Sequence, residues 1–140
     1  MTRSNSSNAI LPWVLQLIAA TILGQTLFFK FSAAPESIYI FETLGVEPWG
    51  RIGSGIAELI AVILLLIPRM SVFGALLGAG VMLGAIVSHL TKLGIEVQGD
   101  GGTLFIMAIV TLASSLGIVW LRRASLCGLG ICRPNDSPVA

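Results

Sequence analysis

The segment SGIAELIAVILLLIP, residues 54–68, decides the fold, because it is almost wholly apolar and yet carries one carboxylate, Glu58. A helix of about 20 apolar residues spans the hydrocarbon core of a bilayer. A charged residue near its centre costs about 3 kcal/mol, whereas each Leu, Ile or Val returns about 0.5 kcal/mol. Residues 50–67 contain ten such aliphatic side chains. The segment is therefore predicted to cross a membrane with Glu58 turned toward neighbouring helices.

The composition of the whole chain also indicates a membrane protein. Of its 140 residues, 55% are hydrophobic and 11% are charged, and the mean hydropathy is +0.93. Soluble domains carry about 25% charged residues, so much of this surface is expected to face lipid. The net charge is +1 and the sequence has no cluster of basic residues, so it does not predict a nucleic-acid-binding surface.

The hydrophobic pattern predicts four membrane spans in a single domain, at residues 10–29, 50–67, 71–90 and 103–121, with flexible ends at 1–8 and 124–140. The segment 31–50 is too short and too polar to cross. It predicts a short helix lying in the membrane interface, capped by Ser32 and ended by Gly45. The expected fold is all-α: an integral membrane four-helix bundle with a short interfacial helix between spans 1 and 2.

Basic residues near the span ends predict the orientation. One side of the membrane holds more of them, so we expect both termini to be cytoplasmic. That side would carry Arg3, Arg69, Arg122, Arg123 and Arg133, and the other side Lys30, Arg51 and Lys92.

Small residues at four-residue spacing predict close helix packing, since membrane helices associate where their backbones can approach. The second and third spans should then form one of the tightest contacts in the bundle. Alternatively, the glycines merely reflect the high glycine content of membrane helices. The positions are Gly53, Ala57 and Ala61 in the second span, and Gly74, Gly78, Gly80, Gly84 and Ser88 in the third.

Several polar residues are expected to meet in one half of the bundle. Glu58 follows Arg51 by seven residues, which is two helical turns and about 10 Å along one face. Alternating span directions bring the other members to the same half, near Asp100. The candidate ligand-binding residues are Gln25, Lys30, Arg51, Glu58 and His89, with Glu58 and His89 as candidate catalytic groups.

Each of these residues also has a purely structural interpretation. Glu58 would form an ion pair or, as a protonated carboxyl, a hydrogen bond to a neighbouring helix. His89 would be a histidine at the membrane interface whose ring nitrogens already have hydrogen-bond partners. Lys30 and Arg51 would be snorkelling anchors. Gln25, like Gln16, would hydrogen-bond between helices.

The sequence predicts no metal site and no intrinsic cofactor. One histidine and scattered carboxylates do not make a ligand set, and no nucleophilic triad or phosphate-binding loop occurs. Cys127 and Cys132 are expected to be free thiols in a reducing compartment. The alternatives are a redox function of the two cysteines or palmitoylation of Cys127. The sequence leaves the role of both cysteines open.

Four segments resemble the DoxX family of small bacterial membrane proteins: LFFKF (27–31), GRIGSGIAELIAVILLLIP (50–68), GAGVMLGAIVSHLTKLGI (78–95) and GDGG (99–102). The likeness covers about residues 10–123. It implies a four-helix bundle in the bacterial inner membrane, associated with respiratory or redox chemistry. Relatives are described as membrane subunits of quinol oxidase or thiosulfate:quinone oxidoreductase systems. The residues that match family positions are Lys30, Arg51, Glu58 and His89.

Three functions remain open at this point. The first is a quinone-linked redox subunit, in which a headgroup carbonyl accepts hydrogen bonds from His89 or Lys30 and Glu58 supplies a proton. The second is a non-catalytic scaffold or anchor subunit of a larger membrane complex. The third is a small transporter or proton path. The expected ligand is a quinone or a bound lipid, and the expected partners are the bilayer and other membrane or redox subunits. Whether the chain has catalytic activity is undecided.

Overall fold

The computed structural model describes residues 7–128, which form five α-helices and no strand. The helices are α1 (Ser7–Phe31), α2 (Pro35–Leu44), α3 (Trp49–Leu66), α4 (Ser71–Ser88) and α5 (Thr103–Gly128), and one π-helical turn (His89–Leu93) extends α4. The predicted all-α fold, with a short helix between the first two long ones, is confirmed. Helix α5 continues past the predicted end at residue 121. The rest of the tail, with Cys132, lies outside the described residues.

Four of these helices are long and apolar enough to cross a bilayer, over Ile10–Phe31, Trp49–Leu66, Ser71–Leu93 and Thr103–Arg123. Their large aliphatic residues face outward: on α3, Ile60, Ile63 and Leu66 are exposed, whereas Glu58 and Leu65 are buried. Water would penalise such a surface, and lipid does not. The chain is a multi-pass membrane protein.

The four long helices surround a common axis in chain order. Helix α1 packs against α3 and α5, and α4 packs against the same two helices from the opposite side. Since successive long helices run in opposite directions, α1 and α4 end where α3 and α5 begin. Helix α2 lies there too, in contact with α1, α3 and the π-helical turn. We call this the α2 end of the bundle.

Helix α2 begins and ends with residues suited to those positions. Pro35 occupies the first turn, where its missing N–H is harmless. Gly45 ends the helix with φ +76°, and its N–H and that of Val46 bind the last carbonyls. The cap predicted at Ser32 was wrong: Ala34 precedes the helix and no side chain caps it, because Ser32 belongs to the turn that leaves α1.

Helices α3 and α4 approach each other closely at Gly74. A Cβ atom added there would lie 2.6 Å from the Leu65 amide nitrogen and 2.8 Å from the Ala61 carbonyl oxygen. Gly78, one turn on, faces Leu23 and Ser115 instead. This part of the small-residue pattern therefore places two backbones in contact.

The other predicted packing positions behave differently. A Cβ added at Gly53, Gly80 or Gly84 would meet nothing within 4 Å, and Ala57 is half-buried. Gly53 faces outward on α3. Gly80, Gly84 and Ser88 border a cavity. These glycines do not bring two helices together, because no neighbouring helix lies against them.

At the end of the bundle opposite α2, a hydrogen bond joins α1 to α3. The buried Gln16 amide donates from Nε2 to the Leu65 carbonyl, 2.6 Å away. That carbonyl is in the last turn of α3, where no helical N–H reaches it. Gln16 thus has the interhelical role that the sequence suggested for it.

Gly74→Ala is expected to lower the free energy of unfolding by about 1–3 kcal/mol, since the added methyl group must push α3 and α4 apart. Gly53→Ala makes the same change in helix propensity where there is room, so it is the matched control. Tryptophan fluorescence during unfolding in mixed micelles measures both. Equal stability of the two variants would contradict the close contact at Gly74.

Candidate ligand-binding cavity

Glu58 is wholly buried at the middle of α3 and pairs with the end of α1. The Lys30 ammonium contacts carboxylate oxygen Oε1 in a salt bridge. The Thr26 hydroxyl lies 2.9 Å from Oε2. An ion pair removed from water holds only when hydrogen bonds also satisfy its remaining lone pairs. Here Thr26 and Lys30, one helical turn apart on α1, satisfy both carboxylate oxygens.

The Thr26 hydroxyl lies between two acceptors, which matters for the protonation of Glu58. It is 2.8 Å from the Leu23 carbonyl and 2.9 Å from Glu58 Oε2. A hydroxyl has one hydrogen and can donate to only one of them. With an ionised carboxylate it donates to Glu58. With a protonated carboxyl, Glu58 donates to Thr26, which donates to Leu23. In both protonation states the Thr26 hydroxyl therefore keeps a hydrogen-bond partner.

Arg51 lies near this pair but turns away from Glu58. Its Nε donates to the Glu47 carboxylate at 2.8 Å, and a second guanidinium nitrogen lies 2.8 Å from the same carboxylate. Its Nη1 donates to the Lys30 backbone carbonyl, one of the last carbonyls of α1, whose backbone partner is the Ala33 amide at 3.4 Å. Arg51 therefore fastens the end of α1 to the start of α3.

His89 begins the π-helical turn and is 5% exposed. The Gly94 amide binds the His89 carbonyl at 2.8 Å, which closes this turn. The imidazole Nδ1 lies 2.8 Å from the Gly94 carbonyl oxygen, and the Phe105 ring packs edge-on at 5.6 Å between centroids. Both contacts hold the plane of the imidazole ring.

Asp100 organises the loop between the π-helical turn and α5. Its Oδ1 accepts from the Val97 and Gly102 amides and its Oδ2 from the Leu104 amide, each at 2.9 Å. Burial by itself would raise the pKa of this carboxyl, but the three N–H donors, with a smaller electrostatic contribution from His89, more than offset it. The pKa of Asp100 therefore lies below its ordinary value of 3.8. The carboxylate acts as an N-terminal cap for α5.

A cavity of about 760 Å³ lies in the half of the bundle next to α2. All five helices contribute to its wall, which is mostly apolar and includes Ile22, Phe29, Ile40, Leu104 and Met107. Polar side chains are interspersed among them. They are Gln25, Thr26, Lys30, Glu36, Ser37, Ser54, Glu58, Ser88, His89, Asp100 and Thr103.

The space in this cavity comes partly from missing side chains. Gly80, Gly84 and Ser88 follow one another at four-residue spacing on α4, and all three border the cavity. Any larger residue at the two glycines would project into open space, because nothing lies within 4 Å of an added Cβ. The small-residue stripe predicted for packing thus leaves room inside the bundle.

Four of the five candidate ligand-binding residues line this cavity: Gln25, Lys30, Glu58 and His89. Arg51 is the exception, because Glu47 and the Lys30 carbonyl hold its guanidinium elsewhere. Sequence reasoning missed Thr26, although it precedes Lys30 by four residues and so shares its helix face. It also missed Phe105, for which the sequence holds no signal. Within residues 7–128, no group of three or more His, Cys, Asp or Glu side chains could hold a metal ion.

These features define the class of the molecule: a small multi-pass helical membrane protein with a cavity beside a buried Lys–Glu pair. Residues 14–118 match the DoxX-like family, and the chain belongs to this family. The resemblance to the DoxX family seen in the sequence is thereby confirmed. No curated protein and no solved structure shows detectable similarity to the chain.

Lys30→Met is expected to lower the free energy of unfolding by about 3 kcal/mol or more, because it leaves the Glu58 carboxylate buried without its cation. Adding Glu58→Gln to that variant should restore most of the loss, which a double-mutant cycle in micelles would measure. Lys92→Met, at an exposed lysine, is the matched control. A Lys30→Met protein as stable as this control would show that the pair does not form.

Asp100→Asn is expected to destabilise the protein at neutral pH, since an amide nitrogen cannot accept the Leu104 N–H. The lowered pKa means that Asp100 stabilises the fold above its ordinary pKa of 3.8, and that this contribution disappears as pH falls through the folded value. The stability difference between wild type and Asp100→Asn should therefore narrow below about pH 4.

Unfolding curves recorded across this pH range measure the effect. Glu96→Gln, which removes an exposed carboxylate from the same loop, should leave stability at neutral pH nearly unchanged. A difference between wild type and Asp100→Asn that stays constant into acid would contradict the capping role.

Proposed function

We propose that this DoxX-like protein is a quinone-linked subunit of a membrane redox system and that the cavity binds the quinone. The cavity itself is the observation that supports this function. Its volume of about 760 Å³ lies within the range of about 300–1,000 Å³ typical of small-molecule sites, which are mainly apolar with a few placed polar groups. The redox association implied by the DoxX resemblance favours the same ligand class.

The two kinds of lining residue suit the two parts of a quinone. Apolar side chains such as Ile22, Ile40 and Met107 provide a surface for the isoprenoid tail. The ring would lie toward Lys30 and His89, where the polar groups are. The Lys30 ammonium has three hydrogens and gives one to Glu58, so it can also donate to a ring oxygen.

Glu58 would exchange one of the two protons that accompany the two-electron interconversion of quinone and hydroquinone. The Thr26 hydroxyl has a hydrogen-bond partner whether Glu58 is a carboxylate or a carboxyl, which suits a group that takes up and releases a proton. The described residues include no metal-ligand cluster, so in this proposal a partner protein or a soluble reductant provides the electrons. We further propose that the chain lies in the bacterial inner membrane, with both termini cytoplasmic, beside other membrane or redox subunits.

Gly84→Leu is expected to abolish retention of quinone, because the new side chain would project into the cavity. Gly53→Leu adds the same side chain on the outward face of α3, where nothing lies within 4 Å of an added Cβ, and should retain quinone like the wild type. Purification from native membranes in mild detergent, followed by mass spectrometry of extracted lipids and quinones, measures the amount bound per chain.

Two outcomes would count against this function. Wild-type protein that carries no quinone, but holds a stoichiometric protein partner, would favour the scaffold role. Quinone that is retained equally by Gly84→Leu would place the ligand outside the cavity. Glu58→Gln in the host membrane separates the roles further, since a scaffold should tolerate it and a proton-exchanging site should not.

A further inference from the structure

The hydrogen bond at Nδ1 fixes which nitrogen of His89 carries the proton. Its partner is the Gly94 carbonyl oxygen, 2.8 Å away, and a carbonyl can only accept. Nδ1 must therefore carry a hydrogen. In a neutral imidazole the other nitrogen, Nε2, is then a hydrogen-bond acceptor. The geometry thus assigns His89 a role opposite to the donor role that the sequence suggested.

Nε2 is the ring nitrogen that remains for a ligand. His89 lines the cavity, and among residues 7–128 Nε2 has no hydrogen-bond partner, because the ring's one polar contact uses Nδ1. The Phe105 ring and the Gly94 carbonyl hold the imidazole in place, so it cannot readily turn to present its N–H. A ligand at this position must offer a hydrogen.

The charges around the cavity argue against an anionic ligand. The Lys30 ammonium is paired with Glu58, and the Arg51 guanidinium outside the lining is paired with Glu47. The Asp100 carboxylate is satisfied by backbone N–H groups. No unpaired cation among the described lining residues is available for an anionic headgroup.

We propose that His89 makes the cavity selective for the reduced, hydroxyl-bearing form of its ring ligand, a hydroquinone, over the oxidised quinone. This inference rests on the proposed function. A hydroquinone hydroxyl donates to His89 Nε2, and its oxygens can still accept from Lys30. A quinone has only acceptors, so it satisfies Lys30 but sets a carbonyl lone pair against Nε2. A buried acceptor left unsatisfied in this way weakens binding substantially.

Calorimetric titration of detergent-solubilised protein with a decyl-chain benzoquinone and its hydroquinone tests this selectivity. The titration is performed anaerobically near pH 8, above the ordinary histidine range of about 6.5. We expect the hydroquinone to bind about tenfold more tightly, the size of effect typical of one unsatisfied buried group. His89→Asn keeps a donor for the Gly94 carbonyl but has no atom at the Nε2 position, so it should bind both forms alike.

Two further variants sharpen the comparison. His89→Gln places an amide near the Nε2 position that can donate and accept, and it should also reduce the preference to about twofold or less. Thr91→Ala changes the same helical turn outside the cavity lining and should keep the wild-type preference. A preference that survives in both His89 variants would overturn the role of His89.

Nitrogen NMR gives a readout independent of binding, because His89 is the chain's one histidine. Protein labelled with ¹⁵N-histidine and purified without a histidine tag should show a one-bond N–H coupling at Nδ1 and none at Nε2. A hydrogen at Nε2 in the neutral ring would overturn the inference. Equal binding of the two ligands by the wild type would overturn it and leave the proposed function standing, whereas no binding of either would overturn both.

Discussion

The salt bridge between Lys30 and Glu58 is the interaction on which the arrangement of this bundle depends. A bilayer cannot solvate a carboxylate at the middle of a helix, so Glu58 needs a cation from a neighbouring helix. Lys30 provides it from the last turn of α1. The pair fixes how far α1 and α3 slide past each other, and the Arg51 contact with the Lys30 carbonyl fixes it again. The cavity lies beside these two contacts between α1 and α3.

The two ends of the bundle solve different physical problems. Opposite α2, the missing side chain at Gly74 lets α3 and α4 touch, and Gln16 satisfies a carbonyl that the end of α3 exposes. At the α2 end the helices leave about 760 Å³ between them. There Lys30 and Glu58 satisfy each other, and loop backbone amides satisfy Asp100. The helices are thus in close contact at the end opposite α2 and are separated by a cavity at the α2 end.

Much of this architecture was predictable from the sequence, and the reasons are local. The lengths of the apolar runs predicted the four spans, and the single carboxylate in one of them predicted a buried partner. What the sequence could not give depended on contacts between distant segments. Glu47 captures Arg51, although helix spacing alone placed Arg51 on the face of Glu58. The π-helical turn that joins His89 to Gly94 has no recognisable sequence signal.

The glycine pattern of α4 shows a further limit. Four-residue spacing of small residues is equally compatible with a packed helix and with an empty space, because both need the absence of side chains. Gly74 belongs to the first case, and Gly80 and Gly84 belong to the second. This has an evolutionary consequence: a few positions on α4 determine the volume of the cavity, and the packing of the bundle does not depend on them. A family member with bulkier residues at the positions of Gly80 and Gly84 can keep the same bundle and yet bind a smaller ligand, or none.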